Sequence, residues 1–273
     1  MGKYNWITGK DFSIRHIALM DRWLLAMVFS RYNHFDTAKL DNHDVTLATL
    51  LKRHPDVAWV VKKRSPESTK AVDFLVDNAI ALSSEALRQR EVAFMESIET
   101  DVVYTEPRIM ETACNYITAW NPKRLHELAD LTDAVVLDVG AGTGRLTFEA
   151  ARIAKRVYAS EPVDRLREHM RDRIAKEAIT NVKVLDGTVA CLPFEDNTFD
   201  HVLSGHVVGD DFAAEVAELA RVTKPGGLIV VCNGDDDIVR EQPDESFLRH
   251  GFTAYVHEND LGGRVYNYVR KVT

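Results

Sequence analysis

Between Lys10 and Val139 the sequence contains no glycine, and all but two of its 14 glycines lie from Gly140 onward. So long a stretch without glycine excludes a region of tight turns and hairpins and fits a helical one, whereas the glycine-bearing remainder fits an α/β domain. Cysteine is also scarce. Cys114, Cys191 and Cys232 lie far apart with no paired spacing, which excludes a zinc site or a disulfide framework and fits a reducing compartment. Long apolar runs are missing: Ile17 to Phe29 is interrupted by Asp21 and Arg22, and the start Met1-Gly2-Lys3-Tyr4-Asn5-Trp6 has no signal core. No membrane span is expected, and the chain reads as soluble and cytoplasmic. Positive charge is in deficit as well. A net charge of −8 repels a phosphate backbone, and Lys62-Lys63-Arg64 reads as a solvated helix end, so a nucleic-acid partner is disfavoured.

What is present is ordinary in bulk: 273 residues, 45% hydrophobic and 28% charged, enough for one catalytic domain and an extension. The boundary reads near Leu131, giving an all-helical region over 1–130 and an α/β domain over 131–273. In the first part Ile14, Ile17, Trp23, Leu24, Met27 and Val28 recur at three- and four-residue steps, as on one helical face. Asp44 is placed to cap a helix running through Leu51, Ser65-Pro66-Glu67 starts another, and a further one carries Leu87, Val92, Met95 and Ile98. Thr105-Glu106-Pro107 and Asn121-Pro122 read as two more starts. These apolar stripes are first of all core packing; beyond that, the region is expected to serve as a substrate lid or as a homodimer contact.

The second part opens on Val135-Val136-Leu137-Asp138-Val139-Gly140-Ala141-Gly142-Thr143-Gly144-Arg145, followed by Leu146, Phe148, Ala150 and Ile153 at helical spacing. An apolar run, a glycine-rich turn and an amphipathic helix make the first unit of a nucleotide-binding sheet, with the helix N–H groups facing the ligand. A second run, Val157-Tyr158-Ala159, ends in Ser160-Glu161, so a carboxylate stands at a strand tip where it can accept two ribose hydroxyls. The dinucleotide fingerprint would need its third glycine where Arg145 stands, so a dehydrogenase reading fails. Asp138, Gly140, Gly142, Gly144 and Glu161 together resemble the class I S-adenosylmethionine-dependent methyltransferases.

The resemblance covers roughly the last half of the chain. It implies a seven-stranded, mostly parallel, doubly wound sheet closed by an antiparallel hairpin, with S-adenosylmethionine as cofactor and S-adenosylhomocysteine as product. Cofactor contacts are then expected at Asp138, Gly140, Ala141, Gly142, Gly144, Glu161, Pro162, Asp186, Thr188, Val189 and Gly205. The segment Asp186 to Phe194 resembles the family's adenine-side loop, but Thr188 replaces its usual aspartate, so the adenine amino group is left to Asp186, Thr188 or a backbone carbonyl, with Val189 offering its N–H. Arg221 to Val231, with Lys224-Pro225-Gly226-Gly227, resembles the family's turn into the fifth strand. Phe252–Val256 and Val265–Val269, joined across Gly262-Gly263, form the expected hairpin.

Ligands of open parallel sheets bind beyond the carboxyl ends of the strands, which puts His206 at the functional end of the strand Phe199–Ser204 and His201 at the other. His206 is the candidate base, against the alternative of a structural histidine. Tyr104 and Glu106 are candidates to face the pocket. Asp210, Asp211, Asn233, Asp235, Asp236 and Asp237 follow two strands and form an oxygen-rich cluster, but loop acids usually cap helices or are solvated, and no metal is assigned. The expected activity is methyl transfer to a small molecule at an O, N or S atom. The alternatives are a nucleic-acid or protein methyltransferase, or a cofactor-binding protein without turnover.

Overall fold

The apolar runs of the glycine-bearing part become strands because their side chains alternate between the two faces of a sheet, both of them buried at its centre, and the runs end in turns. In the computed structural model, which describes residues 12–32, 35–234, 240–258 and 263–273, they are β1 (Val135–Val139), β2 (Arg156–Ser160), β3 (Val182–Leu185), β4 (Phe199–Ser204), β5 (Thr223–Val231), β6 (Thr253–Glu258) and β7 (Arg264–Lys271). They form one sheet in the order β3-β2-β1-β4-β5-β7-β6. The five strands from β3 to β5 pair in parallel, and β7 runs antiparallel to both β5 and β6. The expected seven-stranded sheet with its closing hairpin is therefore present, with the last strand inserted between the fifth and the sixth. Gly262, read as part of the hairpin joint, and Asp235, Asp236 and Asp237 of the acidic cluster lie outside the described residues.

One face of the sheet, through Leu137, Val139, Val202 and Ile229, packs on Val216 and Leu219 of the helix Phe212–Val222. The other, through Val136, Leu203 and Val230, packs on Leu125, Leu146 and Ala150. Burying a side chain of this size stabilises by roughly 1.5–3 kcal/mol, so this two-sided core is what holds the strand ends in register. Strand order reverses between the parallel neighbours β1 and β4, and this switch point is where an open α/β sheet leaves a crevice.

The chain divides into two compact units, Met1–Ala113 and Cys114–Thr273. Residues 114–130, read from the sequence as part of the helical extension, thus fall in the second unit, because Leu125 and Ala129 are buried with Leu131, Val136 and Leu146. The first unit is helical where it is described, including Arg22–Ser30, Asn42–Arg53, Pro55–Arg64, Thr69–Asp77 and Ser84–Ser97. Two local expectations change. The cap of the second of these helices is Asp41, whose side chain accepts from the N–H groups of His43 and Asp44; Asp44 reaches back to the Asp41 N–H and completes a capping box. Trp23 lies off the buried face of Leu24, Leu25, Val28 and Phe29 and is 39% exposed, being turned by about 100° from Leu24 around the helix.

The lysine-proline-glycine-glycine run enters β5 with two glycines that are needed for different reasons. Gly226 has φ +84 and open space where a Cβ would stand, whereas a Cβ on Gly227 would collide with the Asp200 carbonyl oxygen and stand 2.9 Å from that of Lys224. Backbone cannot move aside as a side chain can. Gly227→Ala is therefore expected to cost about 3 kcal/mol and Gly226→Ala about 1 kcal/mol, a ranking that urea unfolding of the two variants checks.

Candidate functional site

The site is built outward from the tip of β2. Ser160 ends that strand, and its carbonyl accepts the N–H groups of Gly140 (2.8 Å) and Ala141 (3.2 Å), which pins the glycine turn to the neighbouring strand. Gly140, Gly142 and Gly144 have φ of +65, +59 and +93, conformations that a Cβ would strain. Glu161 follows Ser160 and is only 4% exposed. Its Oε2 accepts the Gly142 N–H at 2.8 Å and its Oε1 the Val163 N–H at 2.9 Å, so one carboxylate braces the turn after β1 to the start of the helix Asp164–Lys176. Burial pushes its pKa up to about 7 against the pull of those two hydrogen bonds. Each oxygen retains a second lone pair for a further donor.

The other expected residues distribute around this brace. Asp138 is 1% exposed and accepts from Thr147 Oγ1 at 2.6 Å, tying β1 to the helix Arg145–Ala150; burial raises its pKa to about 6. That helix has six residues, so the anion-binding contribution expected of its N-terminus is small, and donation falls to the turn itself. Gly144 is its N-cap, with Phe148 and Met170 packed where a side chain would go. Arg167, not singled out in the sequence, donates to the carbonyls of Glu161 and Pro162 (both 2.7 Å) and to Asp186 Oδ1 (3.3 Å). It thereby draws the β2 tip and the loop after β3 together. Asp186 is otherwise exposed, Thr188 bridges to Cys191, and Val189 packs partly buried against the sheet core.

On the other side of the switch point, the Val207 side chain fills the space beside Gly140, bringing the loop after β4 against the glycine turn. Gly205 lies where Arg145 Nη2 donates to the Cys232 carbonyl at 2.8 Å, and a Cβ there would come within 2.6 Å of that nitrogen. The Arg145 guanidinium also sits 4.6 Å over the Trp120 ring. His206 is exposed with φ +59, its N–H donating to Asn233 Oδ1 at 3.1 Å, while its Nε2, the lone pair a base would use, accepts the Gly234 N–H at 3.0 Å. His201 sits at the far end of β4, accepting the Leu228 N–H, and burial lowers its pKa. Asp211 caps the helix Phe212–Val222 through the Ala214 N–H, as its position suggested. Tyr104 and Glu106 belong to the first unit. Among the described residues no helix is long and apolar enough to cross a membrane, and no group of acids, histidines and cysteines is arranged to hold a metal ion.

Residues 136–227 match a family described as "Methyltransferase domain". This part of the chain matches the methyltransferase-domain family and lies on a sheet of the class I order. Among curated relatives, a demethylmenaquinone methyltransferase of Lactococcus lactis subsp. lactis is 32% identical over 116 residues, 41% of this chain and 46% of that protein. An uncharacterized methyltransferase of Schizosaccharomyces pombe is 36% identical over 110 residues, 37% of this chain and 40% of that one. The chain thus spans less than half the length of either. The solved structure of a SAM-dependent methyltransferase from Aquifex aeolicus superposes with a TM-score of 0.50 at 18% identity, covering 62% of this chain and 99% of that one, a likeness of fold. Arg145, Arg167 and Asn233 give these loops their shape, yet no spacing rule marks them, because each acts through a side chain whose direction only the fold sets.

Proposed function

We propose that this chain transfers the methyl group of S-adenosylmethionine to a small-molecule acceptor. The observation that carries the reading is the buried Glu161 carboxylate braced between the glycine turn and the next helix at the switch point of the sheet. It fits the cofactor: a diol needs an acceptor-only group with spare lone pairs, and the turn beside it allows close approach to the main chain. Glu161 would hold the ribose hydroxyls, Gly140, Ala141 and Gly142 would border the methionine part, and Pro162, Asp186, Thr188 and Val189 the adenine side. Bound there, S-adenosylmethionine supplies an electrophilic methyl group on a sulfonium. The chain's own share is orientation and exclusion of water, which for an in-line displacement is most of the catalysis. The names of the demethylmenaquinone methyltransferase relatives and the net charge of −8 favour a small molecule over a nucleic acid. Calorimetry should show binding of S-adenosylmethionine and S-adenosylhomocysteine and none of NAD. A metabolite panel scored by S-adenosylhomocysteine release should then yield an acceptor; a chain that binds the cofactor and methylates nothing on the panel would favour the non-catalytic alternative.

A further inference from the structure

A left-handed histidine is costly unless its surroundings hold it there, and His206 is held from two directions. Asn233 Oδ1 takes the His206 N–H, and the N–H of the very next residue, Gly234, is donated to His206 Nε2. Asn233 is itself anchored: its Nδ2 donates to the Tyr266 carbonyl at 2.9 Å and its N–H to Asn267 Oδ1 at 2.8 Å, both on β7. The two asparagines are 5% and 2% exposed, and Asn267 Nδ2 lies 3.2 Å from His257 Nδ1 on β6. A buried amide with both its nitrogen and its oxygen engaged has one orientation, so it can dictate that of its neighbour. A ring nitrogen that accepts a hydrogen bond carries no proton, so the neutral His206 ring has its proton on Nδ1, the tautomer that free histidine disfavours.

We propose that Asn233 is a positioning residue of the transfer site, holding His206 in its left-handed conformation and thereby fixing the imidazole against Gly234 as the neutral Nδ1–H tautomer. Its part in turnover rests on the methyl-transfer reading. The arrangement changes what His206 does. Protonating Nε2 would set two donors against each other, so that nitrogen does not serve as a base while the hydrogen bond stands.

Nitrogen-15 NMR of the imidazoles in the full chain tests this, with His206→Gln identifying the resonance. The wild type should show Nδ1 protonated and Nε2 bare, and Asn233→Ala should shift His206 toward the ordinary Nε2–H form. Should that variant not fold, Gly234→Pro removes the donor to Nε2, leaves the Asn233 side chain in place and should release the same tautomer. With an acceptor from the panel, Asn233→Ala should lower kcat at least tenfold with the S-adenosylmethionine Kd within threefold of wild type. A wild-type ring already in the Nε2–H form, a tautomer unmoved by either variant, or a shifted tautomer with unchanged kcat would overturn the proposal. If the wild type neither binds S-adenosylmethionine nor methylates any acceptor, the methyl-transfer reading fails, and the tautomer still decides the positioning.

Discussion

Glu161→Ala is expected to weaken S-adenosylmethionine binding at least tenfold, and Glu161→Gln to abolish its dependence on pH. Two charge-assisted hydrogen bonds to the ribose hydroxyls are lost in the first variant, each worth about 1.5–3 kcal/mol, and about 1.4 kcal/mol is a factor of ten. The brace between Gly142 and Val163 goes with them, so part of the loss comes from a turn no longer held in shape. The pH dependence follows from burial, which pushes the free carboxyl up to about 7. Ribose hydroxyls donate to the carboxylate and favour the charged form, so binding lowers that pKa and expels a proton. Affinity should therefore be flat above about pH 7 and fall as pH drops below it, by up to tenfold per unit. For the stability of the free protein the sign is opposite. A carboxyl whose folded pKa is raised favours the folded state below its ordinary pKa of 4.5, and that contribution disappears as pH rises through about 7. Calorimetry between pH 5.5 and 8 in two buffers of different ionisation enthalpy measures both affinity and proton release. Wild-type affinity in a folded Glu161→Ala protein would remove Glu161 from the site.

The second large effect concerns where the methyltransferase domain begins. A chain starting at Cys114 is expected to bind S-adenosylmethionine, and one starting at Leu131 to lose most of its stability and the binding with it. The difference is the segment 114–130. Leu125 is fully buried against Leu131, Val136 and Leu146, and removing such a side chain costs about 2–5 kcal/mol once the cavity is counted. Trp120 also leaves, taking away the ring beneath Arg145, whose guanidinium reaches across to the end of β5. Against a total stability of about 5–15 kcal/mol, these losses are large. Thermal melting of the two chains with and without S-adenosylmethionine is the measurement; equal melting temperatures would return 114–130 to the first unit.

This boundary shows how far the sequence carries. Glycine distribution separated a helical part from an α/β part because glycine is tolerated in turns and costly in helices, a local property. It placed the border too late for residues 114–130 because a helix's allegiance is decided by whichever core takes its apolar face, and Leu125 looks the same in sequence whether it packs forward or back. Likewise Asp44 reads as a cap in the sequence, but the helix begins at Asn42, so Asp41 caps it and Asp44 closes the capping box.

The glycine turn at 140–144 and the acid at 161 were legible from residue types within a few positions of one another, φ-permissive glycines and a carboxylate after a β-branched run, and through the resemblance they carry so was the seven-stranded sheet. How those parts are held was set by the fold. Arg167 joins Glu161 and Pro162 to Asp186, Arg145 joins the first turn to Cys232, and Asn233 sets the backbone and ring of His206. These are side-chain hydrogen bonds between segments that meet only when parallel strands bring their carboxyl ends to one edge, and their partners follow from where the chain folds rather than from the neighbours each residue has along it.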